Sequence, residues 1–399
     1  MANISNNKTE RQYYIDWLRI ILIISVFFFH IGMVFNTWPW HIKNDVQYGG
    51  MLKQTMIFLH NWRMPLLFML SGAGTYFAAC KMTPAMYLSE RARRLLIPLC
   101  AGVFILVPVQ VYIEKISDYN SLPDFYTHMF DGIYPEGNFS WHHLWFIVYL
   151  FVIALFISPF LKLLRSERTM NFVSGLGKVM CRPFGMNIVI IPLLLSQVVL
   201  RQYFETETHD LVNDWASITY YIIFFLAGFL LIPRKSIAEA MQKQRLLYLA
   251  QTVVVTVVMF RGPSLAGSER GAELIFDVSA VILSWSCAVT AIGYARRYLN
   301  HNSPLRKNAN EAIYPFYLLH QPVIVVVAYM FVNLNIALLW KVLLITACSF
   351  SLIVSFYWFV IKPFNPLRII FGMKKTTTSE KVKCFIIDGE RPLENAERA

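Results

Sequence analysis

Charge is what this sequence has least of. Only 15% of its 399 residues are Asp, Glu, Lys or Arg, while 56% are hydrophobic; a soluble domain is typically about a quarter charged. That deficit excludes an ordinary soluble protein. Cysteine is scarce too. Cys80, Cys100, Cys181, Cys287, Cys348 and Cys384 form no CxxC pair and no metal-ligand spacing, so no disulfide and no structural metal site is expected. No Walker loop, HExxH or GxSxG motif occurs, and Gly72-Ala-Gly74 lies mid-helix, where close helix packing explains it better than phosphate binding. No internal repeat is apparent, which disfavours a repeat-built transporter. The net charge of +12 would suit a nucleic-acid partner if it were clustered. It is not: the basic residues sit in alternate loops, as the positive-inside rule requires.

What the chain does have is long apolar runs. They predict an all-α polytopic membrane protein of about ten spanning helices, roughly 14–35, 54–79, 95–113, 144–164, 187–203, 216–233, 246–260, 274–295, 312–332 and 338–361. The first run is too long for a signal-peptide core and is expected to be a retained span. Loop charge orients the bundle. Lys81, Arg91, Arg93 and Arg94 fall in one loop; Arg165, Arg168, Lys178 and Arg182, then Arg234, Lys235, Lys243 and Arg245, then Arg296, Arg297, Arg306 and Lys307 fall in later ones. With ten alternating helices, all of these lie on one side. The opposite loops carry Glu114, Asp118, Asp124, Asp131 and Glu136, and then Glu205, Glu207, Asp210 and Asp214. Both termini are therefore expected in the cytoplasm. The organisation predicted is a cytoplasmic tail over 1–12, a ten-helix domain over 13–365, and a polar cytoplasmic tail over 366–399 that is expected to be disordered from Lys374 onward.

Ionisable residues inside the apolar runs are costly and mark a functional path. Arg19 and His30 stand eleven residues apart in the first run. On a helix that is about three turns plus 20°, with about 16–17 Å of rise, so both share one face. Asp16 lies about 40° from His30 on that face. The competing reading is an arginine snorkelling at one surface and a histidine near the other. His60 and Arg63 share a face of the second helix at about the depth of His30, with Ser71 near mid-membrane. Trp38, Trp40, His41, Trp141, His142, His143 and Trp145 enrich the outer surface. They read either as an interfacial aromatic belt or as a sugar-binding rim of stacking indoles. On the inner side, Arg91, Arg93 and Arg94 read either as positive-inside charge or as a dock for a phosphate-rich ligand such as coenzyme A. Glu311 and His320 are further intramembrane candidates, and Asp277 is expected to pair with Arg261 or Arg63.

These residues carry a resemblance. Arg19 and His30, followed by Phe68-Met-Leu-Ser-Gly72, Arg91-Ala-Arg-Arg-Leu-Leu-Ile-Pro98, His143-Leu-Trp-Phe146 and Tyr317-Leu-Leu-His-Gln-Pro322, resemble the acyltransferase-3 family of integral membrane O-acyltransferases in its own order over about 13–365. Tyr14-Ile-Asp16, Trp40-His-Ile-Lys-Asn44 and His60-Asn-Trp-Arg-Met64 are similar to the branch holding the succinyltransferase of osmoregulated periplasmic glucans. The resemblance implies transfer of an acetyl or succinyl group from cytoplasmic acyl-CoA, a co-substrate rather than a bound cofactor, to a hydroxyl of an extracytoplasmic glycan. It implies a multi-pass protein of the bacterial inner membrane, here without the extra extracytoplasmic domain frequent in the family. In that reading Arg19, Arg91, Arg93 and Arg94 hold the donor. His30 takes the hydroxyl proton, with Asp16 on its face. His60, Arg63, Trp40, His41, His143 and Trp145 face the acceptor, and Arg63 or a helix dipole meets the oxyanion. Two rivals stay open: a proton-coupled transporter using the same His and Arg as a relay, and a scaffold or sensor without chemistry. The acceptor, the acyl chain and the oligomeric state are not legible in the sequence.

Overall fold

The computed structural model describes residues 11–79, 82–204 and 207–376. The expectations for Cys80, Lys81, Glu205 and Cys384, and for most of both tails, lie outside the described residues. Among the described residues the chain is helical and has no strand. The helices are α1 Tyr13–Phe35, α2 Gly50–Ala79, α3 Pro84–Ala101, α4 Val107–Glu114, α5 Leu122–Thr127, α6 Trp145–Ile157, α7 Leu161–Leu164 and α8 Glu167–Met180. They continue as α9 Ile190–Leu200, α10 Trp215–Leu231, α11 Lys235–Lys243, α12 Arg245–Arg261, α13 Glu269–Tyr298, α14 Pro304–Phe331, α15 Leu338–Phe356 and α16 Asn365–Ile370.

Each of the ten apolar runs is helical. Among the described residues, seven helical segments are long and apolar enough to cross a membrane, and α10 with α11, bent by 109°, makes an eighth if taken as one span. The expected ten exceeds this for two reasons. The apolar helix at Gly185–Leu200 is short, and Lys53, Gln54, His60, Asn61 and Arg63 dilute the first half of α2. Two of the expected basic loops are not loops. α8 and α11 occupy them as short helices that pack together, Gly177 lying against Ile237.

Helix starts follow local chemistry. Thr83, Ser121, Ser166, Ser268 and Ser303 each cap a helix through a side-chain oxygen, which satisfies one of the N–H groups that a helix start leaves unpaired. Prolines inside helices leave the carbonyl four residues back without its donor, and such a group in an apolar medium must be satisfied from elsewhere. Here other elements supply the donor. Pro65 frees Asn61, whose carbonyl accepts from the Ser284 hydroxyl of α13 at 2.6 Å. Pro98 frees Arg94, which accepts from Tyr314 of α14 at 3.3 Å. Pro108 frees Phe104, which accepts from Tyr126 at 3.3 Å. Pro322 frees Leu318, which lies 3.1 Å from Nε2 of His143.

α1 packs against α14, α2, α13 and α15. α12 and α15 are peripheral, with most of their apolar residues exposed. The most extensive helix pairing is α2 with α10. Gly72 and Gly228 face each other's backbones there: a Cβ at 72 would meet the carbonyl of Phe225, and one at 228 the carbonyl of Met69. Small residues at a helix crossing let the backbones approach, which is the packing role expected for Gly72.

Candidate active site

α1 and α14 bring two histidines together at the heart of the bundle. His30 Nδ1 lies 3.1 Å from His320 Nε2 and 3.0 Å from the Val26 carbonyl. His320 is fully buried, and its Nδ1 contacts the Tyr317 carbonyl. His143 stands edge-on to His320, ring centroids 5.2 Å apart. Its Nε2 must carry a proton, because the Leu318 oxygen it meets can only accept. His143 is thus occupied in closing the gap that Pro322 opens and is buried beside His320.

Trp40 comes closest to the rim expected. It is half-buried, and its ring lies nearly parallel to His30 with centroids 6.0 Å apart. His41 is buried instead, held by Glu114 on Nδ1 and by the Gln321 amide on Nε2 at 3.0 Å. Glu114 also accepts from Tyr134 at 2.9 Å. The loop after α1 is anchored by Lys43, whose ammonium donates to the carbonyls of Met33 at 2.7 Å and Trp38 at 2.9 Å, and to that of Asn36. Burial pushes this ammonium down to about 8, and those oxygens at the end of α1 suit a cation.

His60 and Arg63 both reach Phe29, beside His30. Arg63 is 3% exposed, its guanidinium sits 4.0 Å over the Phe29 ring, and its Nε and Nη1 have no hydrogen-bond partner among the described residues. It lies within electrostatic reach of both His30 and His320. His60 pairs at 3.2 Å with Glu207, which also accepts from Tyr221 at 2.8 Å and lies 3.2 Å from His209. Burial would raise the Glu207 pKa, but the two histidines hold it well below the usual carboxylate range. Burial would lower that of His209, but Glu207 and Asp214 together raise it. His209 stacks on Trp145 at 4.2 Å. Trp145 is buried beneath this loop, while Trp40 is half-buried. His60, Asn61, Arg201, Glu207, Tyr221 and Asp277 line a cavity of about 680 Å³ that does not include His30. Asp277 makes no ion pair with Arg261 or Arg63 among the described residues.

Toward the other end of α1, Arg19, Arg91 and Arg94 line a second cavity of about 250 Å³ with Ser71, Thr75 and Tyr87. Arg19 donates to the Leu70 carbonyl at 2.9 Å, and Gly74 leaves room for its guanidinium, since a Cβ there would strike Nη2. Arg91 donates to Thr75 at 3.3 Å, and Arg94 pairs with Glu90 at 2.7 Å. Arg93 is exposed and outside this cavity. Ser71 donates to Leu67 at 2.8 Å and belongs with Arg19 rather than with His30. Asp16 does not reach His30: it pairs with Arg306 and, at 3.2 Å, with Arg11. The shared face is real, but the rise of the helix separates the two by about 21 Å. Glu311 is likewise paired, with Arg368 at 2.8 Å. The cluster of Glu207, His209 and Tyr221, and the contacts of Glu114 with His41 and of Gln321 with His41, were not found by sequence reasoning. Apart from Glu207 and His209, which are two residues apart, the partners stand 14 to 280 residues apart, and no spacing signals them.

Residues 12–358 match the family described as "Acyltransferase domain". Among curated proteins, the chain is similar to glucans biosynthesis protein C of Escherichia coli (strain K12), 24% identical over 164 residues, covering 40% of this chain and 41% of that one. The same-named protein of Salmonella heidelberg (strain SL476) is 24% identical over 159 residues, 38% of this chain and 39% of its own. The matched region thus spans about two fifths of the length of these relatives. No solved structure matches.

Proposed function

The chain belongs to this acyltransferase domain family, and on that premise we propose that it moves an acetyl or succinyl group from cytoplasmic acyl-CoA to a hydroxyl of an extracytoplasmic glycan, as a multi-pass protein of a bacterial inner membrane with both termini inside. The observation that carries the reading is the two-ended site on α1. At one end three arginines, Arg19, Arg91 and Arg94, surround one cavity, and Arg93 stands on the same helix turn, exposed. Such a cluster suits the phosphates of coenzyme A. At the other end is a half-exposed imidazole. The name of the relatives, with "glucans" in it, supports a glycan acceptor.

In this reading the acceptor hydroxyl attacks the thioester carbonyl carbon as its proton passes to His30. The carbonyl oxygen gains negative charge, and the unpaired Arg63 guanidinium offsets it. The C–S bond then breaks, and the coenzyme A thiolate recovers the proton from His30. The test uses purified protein in vesicles loaded on the glycan side. Release of free coenzyme A together with acylated glycan is expected. His30→Ala and His30→Gln should both reach the membrane and bind acyl-CoA but lose transfer by about 10²–10⁴-fold. Substrate flux without coenzyme A release would make the protein a transporter, and wild-type transfer by His30→Gln would remove His30 as the base.

A further inference from the structure

We propose that His320 is the positioning residue that fixes the His30 ring with its proton on Nδ1 and its lone pair on Nε2. The inference rests on the reading of His30 as the base and says which of its nitrogens takes the proton and what keeps it so.

The assignment follows from what each neighbour can do. A backbone carbonyl only accepts hydrogen bonds. His320 Nδ1 contacts the Tyr317 carbonyl, so that nitrogen carries the proton of a neutral imidazole. Its Nε2 then holds a lone pair, and this is the atom 3.1 Å from His30 Nδ1. The other group near His30 Nδ1 is the Val26 carbonyl, at 3.0 Å. Both neighbours are acceptors, so His30 Nδ1 carries a proton. The lone pair of His30 is left on Nε2, which meets no hydrogen-bond partner among the described residues, and His30 as a whole is half-buried beside the half-buried Trp40. A free lone pair on an accessible imidazole nitrogen is what a general base requires.

The chain of donors therefore runs from His30 Nδ1 to His320 Nε2, and from His320 Nδ1 to Tyr317. His320 is held in place by its burial in α14 and by His143 edge-on to it. When His30 takes the hydroxyl proton on Nε2, it becomes an imidazolium whose Nδ1–H still points at the His320 lone pair. The positive charge thus has an acceptor ready, and no ring has to turn. Val26 alone would do this less well, because its carbonyl is also the helix acceptor for the backbone N–H four residues on.

The experiment uses the full-length protein in nanodiscs with 15N-labelled histidine, the His30 signals being assigned by their loss in His30→Gln. At neutral pH the wild-type protein should show His30 protonated on Nδ1 and bare on Nε2. The opposite tautomer would overturn the proposal without any variant. In His320→Leu the single tautomer should give way to a mixture. The kcat should fall by about 10–100-fold, less than loss of the base itself, with the KM for acyl-CoA unchanged. His320→Gln, whose side-chain oxygen can accept from His30 Nδ1, should recover much of both. A wild-type kcat or an unchanged tautomer in His320→Leu overturns the positioning role. Wild-type transfer by His30→Gln overturns the base reading instead, and the two failures are read from different samples.

Discussion

Gly228 and Gly72 offer a test of how tightly the bundle holds both ends of its site. An alanine Cβ at 228 would sit 2.6 Å from the Met69 carbonyl carbon, and one at 72 would sit 2.8 Å from that of Phe225. Both also come closer still to the oxygens. Ordinary contact begins near 3.4 Å, so α2 and α10 must part by about 0.6–0.8 Å to relieve the carbons alone. Backbone cannot swing aside as a side chain can, and overpacking of this kind costs about 1–3 kcal/mol. The functional cost is separate. α2 carries Arg63 and the Leu70 carbonyl that holds Arg19, and α10 carries Tyr221 on Glu207. A displacement near 1 Å at reacting groups can cost about 10²-fold in rate. Gly228→Ala and Gly72→Ala should therefore lower both the Tm of the purified protein and its turnover. Gly175→Ala is the control. Nothing lies within 4 Å of its Cβ position in α8, so it should keep turnover and gain up to about 1 kcal/mol. If Gly228→Ala shows the wild-type Tm and turnover, the close crossing of α2 and α10 is not what positions the site.

Three further predictions concern different parts of the molecule. Arg19→Lys keeps the charge but loses the fork that donates to Leu70; acyl-CoA affinity by calorimetry should fall about 10-fold or more, and an unchanged Kd would assign Arg19 to helix packing. In a cysteine-free background, cysteines at Ser121 and Asn213 should react with an impermeant thiol reagent in whole cells. Cys181, exposed in the structure, should react only after lysis; its labelling in intact cells would invert the topology. The Glu207 anchor should depend on pH. The lowered Glu207 contributes above its ordinary value of 4.5 and is lost as pH falls through the folded value. The raised His209 contributes fully below 6.5 and is lost as pH rises through its folded value. Around His209 stand Glu207, Asp214 and Trp145, so the emission of Trp145, isolated by difference with Trp145→Phe, should change as pH rises above 6.5. Glu207→Gln should shift that transition to lower pH, and an identical midpoint in the variant would show that Glu207 does not hold the loop.

The sequence by itself determined what depends on near neighbours along the chain. Ten apolar runs became helices because an apolar chain must satisfy its backbone internally. Arg19 and His30 fell on one face of α1 because helix periodicity needs only eleven residues to act. The same rise already separates Asp16 from His30 by about 21 Å; what the spacing could not say is that Asp16 is bound to Arg306. The prolines were visible, but not which side chains would meet the carbonyls they free: His143 serves Leu318, and Ser284 serves Asn61. Nor did any spacing join His30 to His320, 290 residues away, or Glu207 to His60, 147 residues away. The reason is physical. In lipid one apolar face is much like another, so hydropathy marks which segments are helices but not which faces meet. That was decided by small residues such as Gly72 and Gly228, which let two backbones touch, and by a few polar groups that have to find a partner once water is gone.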